Sequence, residues 1–171
     1  MKKRIIICLI GASGSGKTTA SWILGKRFGW NVVVSYTTRP MRNNETNGKD
    51  HWFVNDVPDK GQMAAYTRFG DYEYWTTWRQ LCLPPVSVYV IDEKGYEDLC
   101  HNAGNMLRCI AVNIKRQTLD DIDKDRKNRD NDRIYFPDER YDYIVNNDAS
   151  LEHFKNTLHR VGKDIIKKYH I

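Results

Sequence analysis

Short apolar runs alternate with amphipathic segments along this chain. The first run, RIIICLI, is rich in β-branched residues and has the length of a strand that is buried on both faces of a parallel sheet. The segment after the first run, KTTASWILGKRFG, repeats its apolar residues at helical spacing and ends at Gly29, so it predicts a helix. Strands that alternate with helices favour an α/β fold, a parallel five-stranded sheet flanked by helices. The predicted strands are RIIICLI, NVVVSYT, SVYVIDEKG, LRCIAVNI and YDYIVNN.

Two segments interrupt this alternation. Residues 39–80 are polar and aromatic and contain the short strand-like runs HWFVNDV and YEYWTT, which predicts a small mixed α/β lobe inserted at the carboxyl edge of the sheet. Residues 115–140 are densely charged. They are either an exposed helix with many ion pairs or a short lid whose arginines reach phosphates on closure. The expected organisation is a single domain, 1–171, with a core formed by residues 1–38, 81–114 and 141–171.

Composition narrows the classes of partner. The 171 residues include 27 Lys and Arg against 22 Asp and Glu, a net charge of +5 that favours phosphorylated or polyanionic partners. The basic residues are scattered among acidic ones, which disfavours nucleic acid. The four cysteines show no metal-ligand spacing and are expected to be reduced. The first apolar run is too short for a signal peptide, so we expect a cytoplasmic protein without a membrane segment.

The most specific motif lies between the first strand and the first helix. The stretch GASGSGKT, residues 11–18, matches G-x-x-x-x-G-K-[ST] in the strand–loop–helix context that this phosphate-binding loop (P-loop) requires. Its glycines let backbone N–H groups face phosphate oxygens at a helix N-terminus. Lys17 is placed to bridge the β- and γ-phosphates and the Thr18 hydroxyl to ligate Mg²⁺, so ATP with Mg²⁺ is the predicted donor. The predicted ATP-binding residues of the loop are Gly11, Ser13, Gly14, Ser15, Gly16, Lys17, Thr18 and Thr19.

The stretch SYTTRPMRNNETNGKDHWFV resembles the acceptor-binding segment of guanylate kinases, S-x-T-T-R-x-x-R-x-x-E-x-x-G-x-D-Y-x-F-V. It matches that pattern in register from Ser35 to Val54, except that His51 replaces the tyrosine. The P-loop, VIDEKG and YDYIVNNDASLEHF resemble the same family in the right order. The resemblance implies a P-loop NTPase-type fold and ATP-dependent phosphoryl transfer to a nucleoside monophosphate, GMP or dGMP first.

The resemblance also implies an acceptor site. Arginine forks hold phosphate oxygens in a fixed orientation, which supports a phosphate clamp formed by Arg39 and Arg42. Tyr74 and His51, which can still donate through a ring nitrogen, would complete the clamp. Asp92 would contact the base and lie near the metal, so Thr18 and Asp92 are the predicted metal ligands. The predicted acceptor-binding residues are Ser35, Arg39, Arg42, Glu45, His51, Tyr74, Thr76 and Asp92.

The family's lid pattern maps in part. Ile122 stands where the family has its first lid arginine, whereas Arg126 and Arg133 match later positions and are assigned to the transferring phosphoryl group. Asn146 falls at the position near the adenine. The predicted catalytic residues are Lys17, Arg39, Arg126 and Arg133.

Base recognition departs from the family pattern. Ser35 and Asp92 are present, but Ala65 replaces a glutamate that reads guanine and Trp75 replaces a glycine. Trp75 is expected to offer a stacking surface to any base, and Glu73 is the nearby carboxylate that could replace the glutamate. The acceptor could therefore be another nucleoside monophosphate or a phosphorylated sugar, and the chain could also be a non-catalytic binding module. The intact Lys17–Thr18 pair argues against the binding module, and the sequence does not decide between a monomer and a homodimer.

Overall fold

The protein is described by a computed structural model that covers residues 3–117, 130–131 and 133–171. Its strands and helices follow one another along the chain in alternation, apart from one all-strand insertion. The strands are β1 (Arg4–Ile10), β2 (Asn31–Val33), β3 (Tyr36–Thr37), β4 (Trp52–Phe53), β5 (Met63–Phe69), β6 (Tyr72–Thr77), β7 (Val86–Val90), β8 (Leu107–Lys115) and β9 (Tyr143–Asn146). The helices are α1 (Lys17–Phe28), α2 (Trp78–Cys82), α3 (Glu93–Ala103) and α4 (Leu151–Tyr169), with 3-10 turns at Lys60–Gln62 and Asp138–Arg140.

A five-stranded sheet forms the centre of the molecule, in the order β2-β7-β1-β8-β9. All its neighbouring strands pair in parallel. The predicted parallel α/β sheet is therefore confirmed. Two strand boundaries were wrong. The run NVVVSYT is divided between β2 and β3, and β3 belongs to a different sheet. The run SVYVIDEKG is a strand only as far as Val90, because α3 begins at Glu93.

The central strand β1 is buried on both faces because alternate side chains point to opposite sides. Ile6, Cys8 and Ile10 pack in a cluster that includes Leu99 of α3. The intervening residues of β1 pack against α1 and α4 in a second cluster, whose helical members include Ala20, Leu24, Phe154, Leu158 and Ile165. The apolar face predicted for α1 is thus the face that covers the sheet.

A four-stranded mixed sheet, in the order β4-β3-β6-β5, is formed by residues 36–77 and inserted between β2 and β7. Its two longest strands, β5 and β6, pair as an antiparallel hairpin. The sequence predicts strands at β4 and β6 but not at β5. The residues of β5, MAAYTRF, include two alanines and an arginine, which do not indicate a strand. The small sheet is accompanied by little helix. A 3-10 turn precedes β5, and the five-residue α2 follows β6.

No helix within the described ranges combines the length and apolarity that a membrane crossing needs. The four cysteines carry free thiols.

Candidate active site

The P-loop lies where β1 ends and α1 begins. Gly11 and Gly16 have φ angles of 146° and 104°, which residues with a side chain rarely adopt. A Cβ atom at Gly11 would lie 2.3 Å from the carbonyl oxygen of Ile114, and one at Gly16 would lie 2.5 Å from Nδ2 of Asn147. Both positions therefore require glycine.

The ammonium group of Lys17 lies over the P-loop. Its Nζ donates to the carbonyl oxygens of Gly11 at 2.7 Å and Ala12 at 2.6 Å. Thr18 follows at the start of α1 and is exposed. The Ser15 hydroxyl is buried and makes no hydrogen bond to any residue that the structure describes. Since buried polar groups normally have partners, this hydroxyl is suited to a ligand oxygen.

Asn147, the residue directly after β9, contacts the P-loop. Its Nδ2 donates to the carbonyl oxygen of Ser15 at 2.9 Å. Asn146, the residue predicted near the adenine, is exposed on β9. Adjacent side chains of an extended strand point in opposite directions, so the sequence NND did not reveal which asparagine faces the loop.

The charged segment reaches the P-loop through Asp130 and Arg133. Asp130 Oδ2 accepts from the backbone N–H of Ser13 at 2.9 Å, and Asp130 Oδ1 accepts from the Ser13 hydroxyl at 3.0 Å. Nη1 of Arg133 donates to the carbonyl oxygen of Gly11 at 2.6 Å. Arg126 lies outside the described residues.

Glu93 binds Arg133 from the other side, a contact that the sequence analysis missed. This carboxylate is 2% exposed; it pairs with Nε of Arg133 through Oε2 and accepts from the Tyr141 hydroxyl through Oε1 at 3.2 Å. Burial and the Glu93 charge raise the pKa of Tyr141 above its usual range, so the phenol stays a donor. The signal in the sequence that could have indicated Glu93 is its position as a charged residue directly after Asp92.

The acceptor arginines converge on one carboxylate. Arg39 Nη1 and Nη2 donate to the two oxygens of Glu45 at 2.9 and 2.8 Å, and the backbone N–H of Arg42 donates to Glu45 Oε2 at 2.9 Å. Burial works against the charge of Glu45, yet these hydrogen bonds lower the pKa of its carboxyl to about 2. The Nε atom of Arg39 is buried without a partner among the described residues. Glu45 thus orients the arginines instead of facing a ligand itself.

His51 lies beside these arginines and is uncharged at neutral pH. Burial, and then the positive charge of Arg39, lower the pKa of His51 to about 4. Its Nδ1 is 2.9 Å from the Ser35 hydroxyl, and its ring contacts Tyr74 edge to face at 5.7 Å. Ser35, His51 and Tyr74 therefore lie next to one another along the cleft described below.

Asp92 lies at the carboxyl end of β7 and caps α3. Its Oδ1 accepts from the backbone N–H of Gly95 at 2.9 Å and from the Thr67 hydroxyl at 3.4 Å. An acidic N-cap satisfies an N–H group that has no partner inside the helix. Both contacts go to the same oxygen, and the other carboxylate oxygen accepts no hydrogen bond from the residues that the structure describes.

The base side of the site departs from two expectations. Trp75 is 2% exposed and stacks on Tyr36, with ring centroids 5.7 Å apart and an interplanar angle of 12°, so it offers no stacking surface to a base. Glu73, two residues earlier on the same face of β6, accepts from the Tyr66 hydroxyl at 2.6 Å. The side-chain period of two in β6 sends both residues to the face opposite Tyr74.

Thr76 shares the Tyr74 face but is fully buried, and its hydroxyl donates to Gln80 Oε1 at 2.9 Å.

A cleft of about 310 Å³ joins the P-loop to the small sheet. It adjoins a second cleft of about 890 Å³ that opens toward the β5–β6 turn and the segment 133–140. The structure places most of the predicted residues in the first cleft. The predicted residues within the described ranges that do not line it are Gly11, Ser15, Gly16, Thr19, Thr76 and Asn146. The predicted residues that line it are Ser13, Gly14, Lys17, Thr18, Ser35, Arg39, Arg42, Glu45, His51, Tyr74, Asp92 and Arg133.

Fold and site together define a P-loop protein with a second, arginine-lined site beside an inserted small sheet. The family model described as guanylate kinase matches residues 2–76. A guanylate kinase of Rhodopseudomonas palustris is 27% identical over 169 residues, which cover 86% of this chain and 76% of the relative. A guanylate kinase of Protochlamydia amoebophila is 27% identical over 196 residues and 96% of each chain.

The structural comparison agrees on the fold. The crystal structure of guanylate kinase from Anaplasma phagocytophilum superposes with a TM-score of 0.63 at 19% sequence identity, and the match covers 98% of this chain and 87% of that one. The chain is similar to guanylate kinases: the family model matches its residues 2–76, the two relatives are each 27% identical to it, and the fold is shared.

Proposed function

We propose that this protein transfers the γ-phosphoryl group of ATP to a nucleoside monophosphate, with GMP as the first candidate, to give GDP and ADP. The observation that carries the proposal is the single cleft in which Lys17 of the P-loop faces Arg39 and Arg42 of the small sheet. Such a cleft can hold two phosphate chains end to end. The match to the guanylate kinase family model, residues 2–76, contains both of these elements.

The donor is held by the P-loop. Backbone N–H groups and the Ser15 hydroxyl surround the phosphates, and Lys17 moves from its carbonyl partners to phosphate oxygens. Mg²⁺ fits the cleft, because the Thr18 hydroxyl and the Asp92 carboxylate are hard oxygen ligands that line it together. When bound, the ion neutralises charge between the phosphates. No grouping of three or more potential ligands from His, Cys, Asp and Glu occurs in the described ranges, so the nucleotide supplies most of the coordination.

The acceptor phosphate is held by Arg39 and Arg42. Glu45 fixes both arginines before the acceptor arrives, which reduces the entropy lost on binding. The phosphoryl group then passes through a loose transition state that needs alignment and positive charge more than a general base. Lys17 and Arg133, which share the Gly11 carbonyl oxygen, supply that charge from the donor side.

A second acceptor class is favoured by Ala65, which lines the cleft where the family pattern has a glutamate. Without that carboxylate, Asp92 is left as the acidic partner for a guanine base. Another nucleoside monophosphate or a phosphorylated sugar is therefore the alternative acceptor for the same chemistry.

A coupled assay of ADP release over GMP, dGMP, AMP, dTMP and a hexose phosphate tests the proposal. We expect turnover with at least one nucleoside monophosphate, and the highest kcat/KM with GMP or dGMP. Turnover with the hexose phosphate and with no nucleoside monophosphate would show that the acceptor is a phosphorylated sugar. Binding of GMP without ADP release from any acceptor would support a non-catalytic module instead.

A further inference from the structure

Glu93 is a buried carboxylate that the proposed transfer reaction does not use directly. It is the first residue of α3 and follows the N-cap Asp92. Its side chain is 3% exposed, and both its oxygens are engaged, one by Nε of Arg133 and the other by the Tyr141 hydroxyl. A buried carboxylate is costly unless it is paired, although the positive end of a helix dipole favours it at this position. The pairing with Arg133 accounts for its presence.

The guanidinium of Arg133 is held along two of its three nitrogens. Glu93 binds Nε, and the carbonyl oxygen of Gly11 accepts from Nη1 at 2.6 Å. The remaining nitrogen, Nη2, is buried and has no partner among the described residues. Because the guanidinium is planar and rigid, fixing two nitrogens also fixes the direction of the third.

The neighbours of Arg133 lie where donor phosphates would bind. Lys17 Nζ donates to the same carbonyl oxygen of Gly11 at 2.7 Å, so two cations meet at one P-loop oxygen. Arg133 also lines the cleft that holds Lys17, Arg39 and Arg42. Two cations this close repel each other in the absence of a phosphate, and the negative charge of Glu93 offsets that repulsion.

We propose that Glu93 is a positioning residue that holds Arg133 against the P-loop, so that Nη2 donates to the phosphoryl group in transfer. This inference rests on the proposed kinase function. Glu93 touches neither nucleotide and acts through Arg133. Tyr141 orients the Glu93 carboxylate through its hydrogen bond to the second oxygen.

A double-mutant cycle tests this role, with Glu93→Gln, Arg133→Ala and the double variant. Glutamine keeps the shape of the side chain but removes the charge that pairs with Nε. We expect Glu93→Gln to lower kcat about 10- to 100-fold, as small misplacements of catalytic groups do. The KM values for ATP and GMP should change less than about threefold, because an interaction used in the transition state affects kcat first. The double variant should lose no more kcat than Arg133→Ala alone.

Asp98→Asn provides the matched control. It removes a carboxylate from the same helix, where Asp98 pairs with Lys94 at 3.6 Å on the surface. Its kcat should equal that of the wild type. Glu93→Asp, which keeps the charge but shortens the reach by one methylene, should lose kcat like Glu93→Gln and serves as the measurement if the glutamine variant fails to fold.

Each outcome decides between the possibilities. Multiplied losses in the double variant, or an unchanged kcat in folded Glu93→Gln, would show that Glu93 contributes to folding alone and would overturn the inference. If the wild type turns over and the variants give either of those results, the inference about Glu93 fails but the proposed kinase function stands. Absence of wild-type turnover with every monophosphate would overturn the proposed function and the role of Glu93 with it.

Discussion

An uncharged histidine sets a chemical limit on the acceptor site. His51 contributes a hydrogen-bonding ring without a charge, because burial and Arg39 lower its pKa to about 4. In the proposed reaction, the positive charge that attracts the acceptor phosphate therefore comes from Arg39 and Arg42. Glu45, whose pKa of about 2 keeps it ionised, fixes the direction of those charges.

The pKa of His51 predicts how stability depends on pH. Between pH 6.5 and 4 the unfolded chain binds a proton at His51 that the folded protein does not, so the free energy of unfolding falls as the pH falls through this window. The full effect is on the order of 2–3 kcal/mol. Urea unfolding at several pH values should show a shallower fall in His51→Gln. The exposed His101→Gln is the control and should follow the wild type; an equal slope in both variants would contradict the assignment.

A second residue-scale prediction concerns Ala65 and base selectivity. A guanine base presents two adjacent donors that a buried carboxylate accepts together, and Ala65 leaves that position apolar. A pocket that relies on shape discriminates only about 10- to 200-fold, whereas one that hydrogen-bonds its ligand reaches about 10⁴. We expect the wild-type ratio of kcat/KM for GMP over AMP to lie in the lower range and to rise in Ala65→Glu. Ala65→Gln is the uncharged control, and a wild-type ratio above about 10⁴ would show that another group reads guanine.

At the scale of elements, a carboxylate from the charged segment contacts the P-loop where the phosphates of the proposed donor would bind. Asp130 accepts from both the N–H and the hydroxyl of Ser13, which lines the donor side of the cleft. A triphosphate brings negative charge to the same loop, so the two anions repel each other. We therefore expect the contacts between Asp130 and Ser13 to weaken when ATP binds.

Removing that charge should strengthen nucleotide binding. Asp130→Asn keeps the size of the side chain, and we expect the Kd for ATP to fall about threefold to tenfold, more steeply at low ionic strength because the effect is electrostatic. Titration calorimetry measures it. Asp138→Asn removes a charge from an exposed pair with Lys115 and should leave the Kd unchanged. A weaker affinity in Asp130→Asn would mean that Asp130 supports the binding form of the loop.

The elements also show where sequence reasoning succeeds. β1 and β8 lie at the centre of the sheet and are mostly apolar, and this composition predicts the burial that most of their residues show. β5 carries no such signal, because its strand conformation depends on long-range pairing with β6. Trp75 was misjudged for a related reason: a residue's face in a strand depends on register, which a sequence without its partner strand does not specify.

The site divides in the same way. The P-loop and the Arg39–Arg42 pair could be predicted because each motif is local and has a backbone requirement. Glu93 and Asp130 could not, since their partners Arg133 and Ser13 lie 40 and 117 positions away along the chain. Only the folded sheet brings such pairs together.

At the scale of the molecule, donor and acceptor sites belong to different sheets. The P-loop extends from the central parallel sheet, and the acceptor arginines follow β3 of the small sheet. This separation predicts that the two affinities can be changed independently. Lys17→Ala should lower kcat by about a hundredfold or more, with GMP binding retained.

Arg42→Ala should show the opposite pattern. The loss of charge-assisted hydrogen bonds worth about 1.5–3 kcal/mol should raise the KM for GMP about 10- to 100-fold, with the Kd for ATP unchanged. The exposed Arg79→Ala on α2 is the charge-matched control. Equal losses of ATP and GMP affinity in Arg42→Ala would place this arginine at the donor instead.

The small sheet is one uninterrupted stretch of chain, residues 36–77, and it leaves and rejoins the core at β2 and β7, which are neighbours in the central sheet. A gene segment that encodes this stretch can therefore be exchanged for a homologous one at two adjacent junctions. Such an exchange would transplant the proposed clamp residues Arg39, Arg42, His51 and Tyr74, while Ser35, Asp92 and the P-loop stay with the core. The architecture gives a lineage a way to acquire a new substrate by recombination, without passing through a series of point mutations in the shared catalytic loop.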